Sequence, residues 1–163
     1  MSKGPAGVAA LAAASRSHHA TPEATGALWV NVLQELPLFA GLSKRHLRRV
    51  AGIAQESRFS PQSPIVREGS TGHTFYVILD GTVSVLRPGR KPLRLEAGEF
   101  FGEMSLLDGK KRSATVEADT EVLTLTIARP AFMKMLENEP PMAMAILEEL
   151  ATRLRALDER DTS

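Results

Sequence analysis

The chain has 163 residues, 43% of them apolar and 24% charged, with 20 Lys plus Arg against 19 Asp plus Glu. That is enough for one domain with a real core and too little for two comfortable ones, and a net charge of +1 excludes a bulk electrostatic binder of DNA or RNA. There is no cysteine, hence no disulfide scaffold, thiolate zinc site or cysteine nucleophile. No apolar run approaches the ~18 residues that cross a bilayer, so the expected location is the cytoplasm.

Residues 1–20 are mostly Ala, Gly and Ser, and the first acidic residue is Glu23. They read as a disordered tail, with a targeting segment as the other reading, because Lys3 followed by Gly7–Ala14 loosely mimics a secretory signal. The rest, 21–163, reads as a single domain: N-terminal helices over 22–54, strands over 55–128 and C-terminal helices over 130–159. Thr21-Pro22-Glu23 marks a helix start, with Thr21 as cap and Pro22 in the first turn, although Gly26 can delay the start to Thr25. Trp29, Leu33 and Leu36 follow at helical spacing until Pro37. Ser43 caps a second short helix whose apolar positions include Leu47, Val50 and Ala54.

After Ala54 the period changes. Gly and Pro punctuate short runs at Ile65–Val66, Phe75–Leu79, Val83–Leu86, Leu93–Leu95, Ala114–Ala118 and Glu121–Ile127. Many short strands with regular turn signals predict an antiparallel jelly roll or β-barrel, so the fold class is mainly β with flanking helices. Helical character returns at Pro130 with Phe132, Met133 and Leu136. Pro140 then opens a long helix to about Asp158, in which Ala143, Leu147, Leu150, Leu154 and Leu157 recur every four or three residues as an a/d seam. Two heptads are short of a coiled coil, and Ile146 widens the stripe; the helix can cover the sheets, pair with a second copy, or do both.

The chemistry concentrates between Phe100 and Val116. A glycine turn at Ala97-Gly98-Glu99 leads to a one-turn helix over Glu103–Leu107, which Asp108-Gly109 breaks, and Arg112 stands at the mouth of the next strand. Backbone N–H groups beside Gly102 can cradle a phosphate. Arg112 adds a planar fork of donors, and Ser113 a hydroxyl. Glu103 would repel a bare phosphate, but it suits a ligand that also carries a sugar hydroxyl. Phosphate plus sugar is a nucleotide.

Phe101-Gly102-Glu103, Ser105-Leu106 and Arg112-Ser113-Ala114 resemble the phosphate-binding cassette of the cyclic nucleotide-binding domain family, which includes the bacterial catabolite activator protein and the regulatory subunits of cyclic AMP-dependent kinase. Leu36–Ser43 and the stretch from Arg67-Glu68-Gly69 through Phe75–Val83 resemble the same family, so the likeness covers about 28–158. It implies a cyclic AMP or cyclic GMP ligand. Glu103 would accept the ribose 2′-hydroxyl, Arg112 pair with the cyclic phosphate, and Gly102 and Met104 offer backbone groups. Ser113 would offer a hydroxyl, with Phe101, Ser105 and Ala114 completing the cassette. Val85 and Leu95 would wall the base and sugar. Arg153, Leu154 and Leu157 would form a lid, with Arg153 either stacked on the base or paired with Glu103.

The resemblance also implies a regulatory role without catalysis, so no catalytic residue is assigned. Expected partners are the cyclic nucleotide, a downstream protein and a second copy through the C-terminal helix. Gene-regulatory members carry a helix-turn-helix after this helix. Only Glu159–Ser163 remain here, so the expected reading has no DNA reader and no membrane contact. Three other readings stay open: the effector part of a transcription regulator, a degenerate member that binds nothing, and a metal-dependent barrel enzyme. The last would need converging His or Glu ligands, whereas His46 and His73 stand far apart and no metal site is assigned. Lys44, Arg45, Arg48 and Arg49 cluster on one short helix, read as a solvated face or as a surface for nucleic acid or a partner.

Overall fold

The computed structural model describes residues 22–161, so the readings of 1–20 and of Thr21 as a cap lie outside the described residues. Helix α1 runs over Pro22–Glu35, starting at the proline rather than at Thr25. It buries Trp29, Val32 and Leu33, and Pro37 then begins a 3-10 turn over Pro37–Phe39 that buries Leu38 and Phe39. Helix α2, Lys44–Ile53, is capped by Ser43, whose side-chain oxygen accepts from the His46 N–H at 3.3 Å. Leu47 and Val50 face inward, and the four basic residues face out.

Eight strands follow: β1 (Gln55–Phe59), β2 (Pro64–Val66), β3 (Thr74–Asp80), β4 (Val83–Leu86), β5 (Leu93–Leu95), β6 (Phe100–Phe101), β7 (Thr115–Ala118) and β8 (Val122–Ala128). They form two four-stranded antiparallel sheets, ordered β1-β8-β3-β6 and β2-β7-β4-β5. The jelly-roll reading is the one realised; the sheets do not close into one barrel. Helix α3, Glu103–Asp108, interrupts the strands, and α4 (Arg129–Asn138) and α5 (Pro140–Asp161) complete the chain.

Period-two alternation on β3 explains the layering. Phe75, Val77 and Leu79 join Leu123, Leu125, Ile127 and the buried residues of the helices in one cluster; Ile78 joins Val83, Leu95, Phe101 and Val116 in a second. Both faces of β3 are therefore covered, which is why its sequence reads as a nearly continuous apolar run. On the helical side the Phe75 and Phe132 rings stack at 4.5 Å.

Two strands have no counterpart in the sequence reading. β1 is polar, and its pairing with β8 runs through the backbone, reinforced by the Thr124 and Thr126 hydroxyls donating to the Ser57 and Gln55 carbonyls. β6 has only two residues. The α5 seam is divided: Leu147 and Leu154 are 58% and 61% exposed, whereas Leu150 is half-buried against the cluster that holds Met142 and Ile146. At the α4–α5 junction the buried Glu139 pairs with His46 Nδ1 at 2.8 Å. Pro141 packs on Gly41, where an added Cβ would lie 2.9 Å from the Pro141 Cβ.

Candidate functional site: a buried carboxylate and guanidinium on one loop

β6 is held on β3 by Tyr76 opposite Phe101 and Val77 opposite Phe100. Gly102 follows at φ 90°, and a Cβ there would sit 3.0 Å from both Arg112 Nη1 and the Thr74 carbonyl oxygen. Only glycine takes this turn and admits the arginine. Glu103 then opens α3 and is 4% exposed, with Ser105 and Leu106 buried beside it.

The chain returns through Gly109–Ala114. The Arg112 N–H donates to the Ser70 carbonyl at 2.8 Å, and the Gly69 N–H donates to the Arg112 carbonyl at 2.9 Å. The Arg112 side chain, 7% exposed, donates from Nη1 to the Gly102 carbonyl and from Nη2 to the Thr74 carbonyl, each at 2.7 Å. One guanidinium thus joins the start of β3 to the turn before α3. Gly72 leaves it room: a Cβ there would lie 2.9 Å from Arg112 Cζ and Nε. Burial pulls the Arg112 pKa down, and the facing Tyr76 and Glu103 oppose that pull.

Arg153 of α5 completes the arrangement. Its Nη1 lies 3.4 Å from Glu103 Oε1, its Nη2 donates to the Phe100 carbonyl, and its Nε donates to Glu149 Oε1 at 3.1 Å. The guanidinium carbon sits 4.6 Å from the centre of the Phe100 ring. Burial raises the Glu103 pKa above its ordinary 4.5. Arg153 is the strongest influence in the other direction, followed by the helix backbone and Arg112.

The expected residues come together unequally. Gly102, Glu103, Ser105 and Arg112 converge, with Phe101 buried beneath them. Leu95 is buried and Val85 half-buried in the inter-sheet cluster. Met104 is 55% exposed, which leaves it a backbone role at most; Ser113 is exposed and Ala114 half-buried. Of the lid residues, Arg153 reaches the cassette in the paired arrangement. Leu154 points to solvent and covers nothing, and Leu157 is half-buried.

Two residues were missed by the sequence reading. Tyr76 stacks on Phe101 at 4.8 Å with nearly parallel rings, and it faces Arg112; strand alternation was the signal that could have placed it between the sheets. Arg129 opens α4, where its backbone N–H donates to the His73 carbonyl at 2.9 Å and its Nε to the Leu106 carbonyl of α3 at 3.1 Å. A side chain acting on backbone carbonyls leaves no sequence signature. Among the described residues, no cluster of three or more His, Asp or Glu could hold a metal, and no helix is long and apolar enough to cross a membrane.

A family model described as the cyclic nucleotide-binding domain matches residues 56–139. The chain belongs to that family. A curated relative is the cAMP-dependent protein kinase regulatory subunit of Schizosaccharomyces pombe, 32% identical over 112 residues, 68% of this chain and 27% of the relative. The chain spans about a quarter to a third of the length of the fungal relatives it matches, 24%, 27% and 34% in three of them. Among solved structures, the catabolite activator protein of Thermus thermophilus is similar with a TM-score of 0.66 and 31% identity, covering 76% of this chain and 61% of that one. The regulatory subunit of a cAMP-independent protein kinase A from Trypanosoma brucei is similar with a TM-score of 0.68 and 25% identity, covering 78% and 47%. The cassette therefore lies in a cyclic nucleotide-binding domain.

Proposed function

We propose that the cassette binds cyclic AMP or cyclic GMP and that α5 reports its occupancy to a partner. The observation that carries this reading is the convergence of Glu103, Arg112 and Arg153. Two charged side chains of one loop are buried together, and the first is held by an arginine from the long helix. Arg112 is the phosphate ligand and exchanges its carbonyl contacts for charge-assisted bonds to the cyclic phosphate. Gly102 admits the ligand's close approach, with the Met104 backbone, Ser105, Ser113 and Ala114 along the phosphate. Val85, Leu95, Phe101 and Tyr76 wall the base and sugar. The ribose 2′-hydroxyl donates to Glu103, the carboxylate that Arg153 already touches. Ligand and α5 thus share one acceptor, and occupancy shifts the population of α5 positions. No catalytic step is assigned to this module.

A thermal-shift panel of 3′,5′-cyclic AMP, cyclic GMP, the linear monophosphates and ATP tests the reading, because a ligand of the folded form must raise the melting temperature. The expected result is a rise with a cyclic nucleotide and not with the linear compounds. A flat panel favours the second reading, a protein-interaction module without a nucleotide. The specific observation behind that alternative is that Arg112 is already satisfied by two backbone carbonyls.

Dimerisation through α5 is a separate proposal, resting on the exposed Met144, Leu147 and Leu154. Leu147→Glu with Leu154→Glu is expected to change stability by no more than ~0.5 kcal/mol, since both side chains face solvent. An unchanged mass in light scattering rejects this seam.

A further inference from the structure

A cavity lies away from the cassette. It has a volume of about 570 Å³ and opens between the end of α1, the β5–β6 turn and the middle of α5. Its floor includes the buried Leu36 and Leu38, and its walls carry Glu35, Glu99, Glu148 and Glu149, with no Lys or Arg among the lining residues. Glu149 faces Arg153, and Glu99 accepts the Glu96 N–H, so two of the four carboxylates have cause to be where they are. Glu35 and Glu148 are exposed at the rim and have no such partner among the described residues.

The opposite charge stands on α2. Lys44, Arg45, Arg48 and Arg49 are all exposed and unpaired among the described residues. They form two like-charge pairs four residues apart, Lys44 with Arg48 and Arg45 with Arg49, and the first turn holds no acidic residue to meet the positive helix end. Both features weaken an isolated helix, so its own stability does not explain them. Of the large apolar residues of α2, Leu47 and Val50 are committed to the core and Ile53 alone is exposed, at 42%, which is too little apolar surface to insert into a lipid layer.

We infer that the cleft receives the basic face of α2 from a second copy of this chain. Charge complementarity selects this occupant: four cations on one helix meet an opening walled by four carboxylates, and the long aliphatic stems of Arg and Lys suit its leucine floor. A net charge of +1 leaves little general repulsion between copies. Only five residues, Phe39–Ser43, separate Leu38 of the cleft from Lys44. Each copy therefore offers both halves of the contact.

Sedimentation of the full chain at about 50 mM and about 500 mM salt reads the contact, which screening should dissolve at the higher concentration. The pairs Arg48→Glu with Arg49→Glu, and Glu35→Lys with Glu148→Lys, are each expected to weaken self-association at least about tenfold. Mixing the two variants is expected to restore a complex, since the unaltered helix of one then meets the unaltered cleft of the other, and the new glutamates face the new lysines. Circular dichroism of each variant verifies its fold. The inference is overturned if either reversed variant associates like wild type, or if two folded variants fail to combine. Salt-insensitive association that Leu147→Glu with Leu154→Glu abolishes also overturns it. So does a wild-type chain that stays monomeric while α2 binds anionic vesicles or polyphosphate.

Discussion

The two faces of β3 are built by seven consecutive residues, and they differ in kind. Phe75, Val77 and Leu79 look toward the helices into a cluster made wholly of apolar side chains. The other face carries Tyr76 and Ile78 toward the second sheet and the cassette. Five polar or charged residues are buried among those described, and three of them, Glu103, Ser105 and Arg112, fall within ten residues of sequence beside that second face. Apolar packing is sufficient for folding, whereas a buried carboxylate and guanidinium must first overcome their desolvation. The lesson is one of division: the helical face holds the sheet together, and the cassette face carries the buried charged groups that the proposed function assigns to a ligand.

The contrast can be broken most forcefully on the helical face. Phe75→Ala removes a fully buried ring stacked on Phe132 and is expected to cost about 3–5 kcal/mol in urea unfolding. Next comes the cassette. Arg112→Ala is expected to lower cyclic nucleotide affinity about ten- to a hundredfold in titration calorimetry, the equivalent of ~1.5–3 kcal/mol. Arg112→Lys is expected to lose most of the same affinity, because a point charge cannot replace the fork. Equal affinity in wild type and Arg112→Ala would reject the assignment.

A smaller effect is expected at the link between α4 and α3. Arg129→Ala deletes the side-chain hydrogen bond to the Leu106 carbonyl, worth about 0.5–1.5 kcal/mol. Faster amide exchange in α3 with little change in β3 is the expected signature.

The smallest effect is a slope. Because burial raises the Glu103 pKa above 4.5, the stability tied to its protonated form is full below 4.5 and is lost as pH rises through the raised value. Glu103→Gln removes that dependence. Its melting temperature is therefore expected to gain on wild type from acid toward neutral pH, and a parallel pair of curves would reject the sign.

Much of the fold is legible in the sequence. The Gly and Pro punctuation located β4 and β5 to the residue, and Asp108-Gly109 marked the end of α3. The cassette residues stand out through their resemblance to the family's phosphate-binding segment; the glycine, acid and arginine alone would equally suit a structural turn with an ion pair. The failures have equally plain causes. Of the five residues of β1, only Phe59 is a large apolar one, so a strand held by backbone pairing gave no hydrophobic alternation. On α5, Leu147 and Leu154 lie on a different face from Met142, Ile146 and Leu150, and periodicity cannot say which face meets the core. The two carbonyls that hold Arg112 come from Gly102 and Thr74, and that convergence exists only once β3 and β6 pair.

The anchoring of α5 at its first residues has a mechanical consequence. Glu139 is tied to His46, and Pro141 is wedged on Gly41, so that end is a fulcrum. Arg153 lies about 20 Å along the axis and the last turn about 32 Å along it. If α5 moves as the proposed function has it, a displacement of about 1 Å at Arg153 sweeps the tip by about 1.6 Å, and the helix would then act as a lever on events at Glu103.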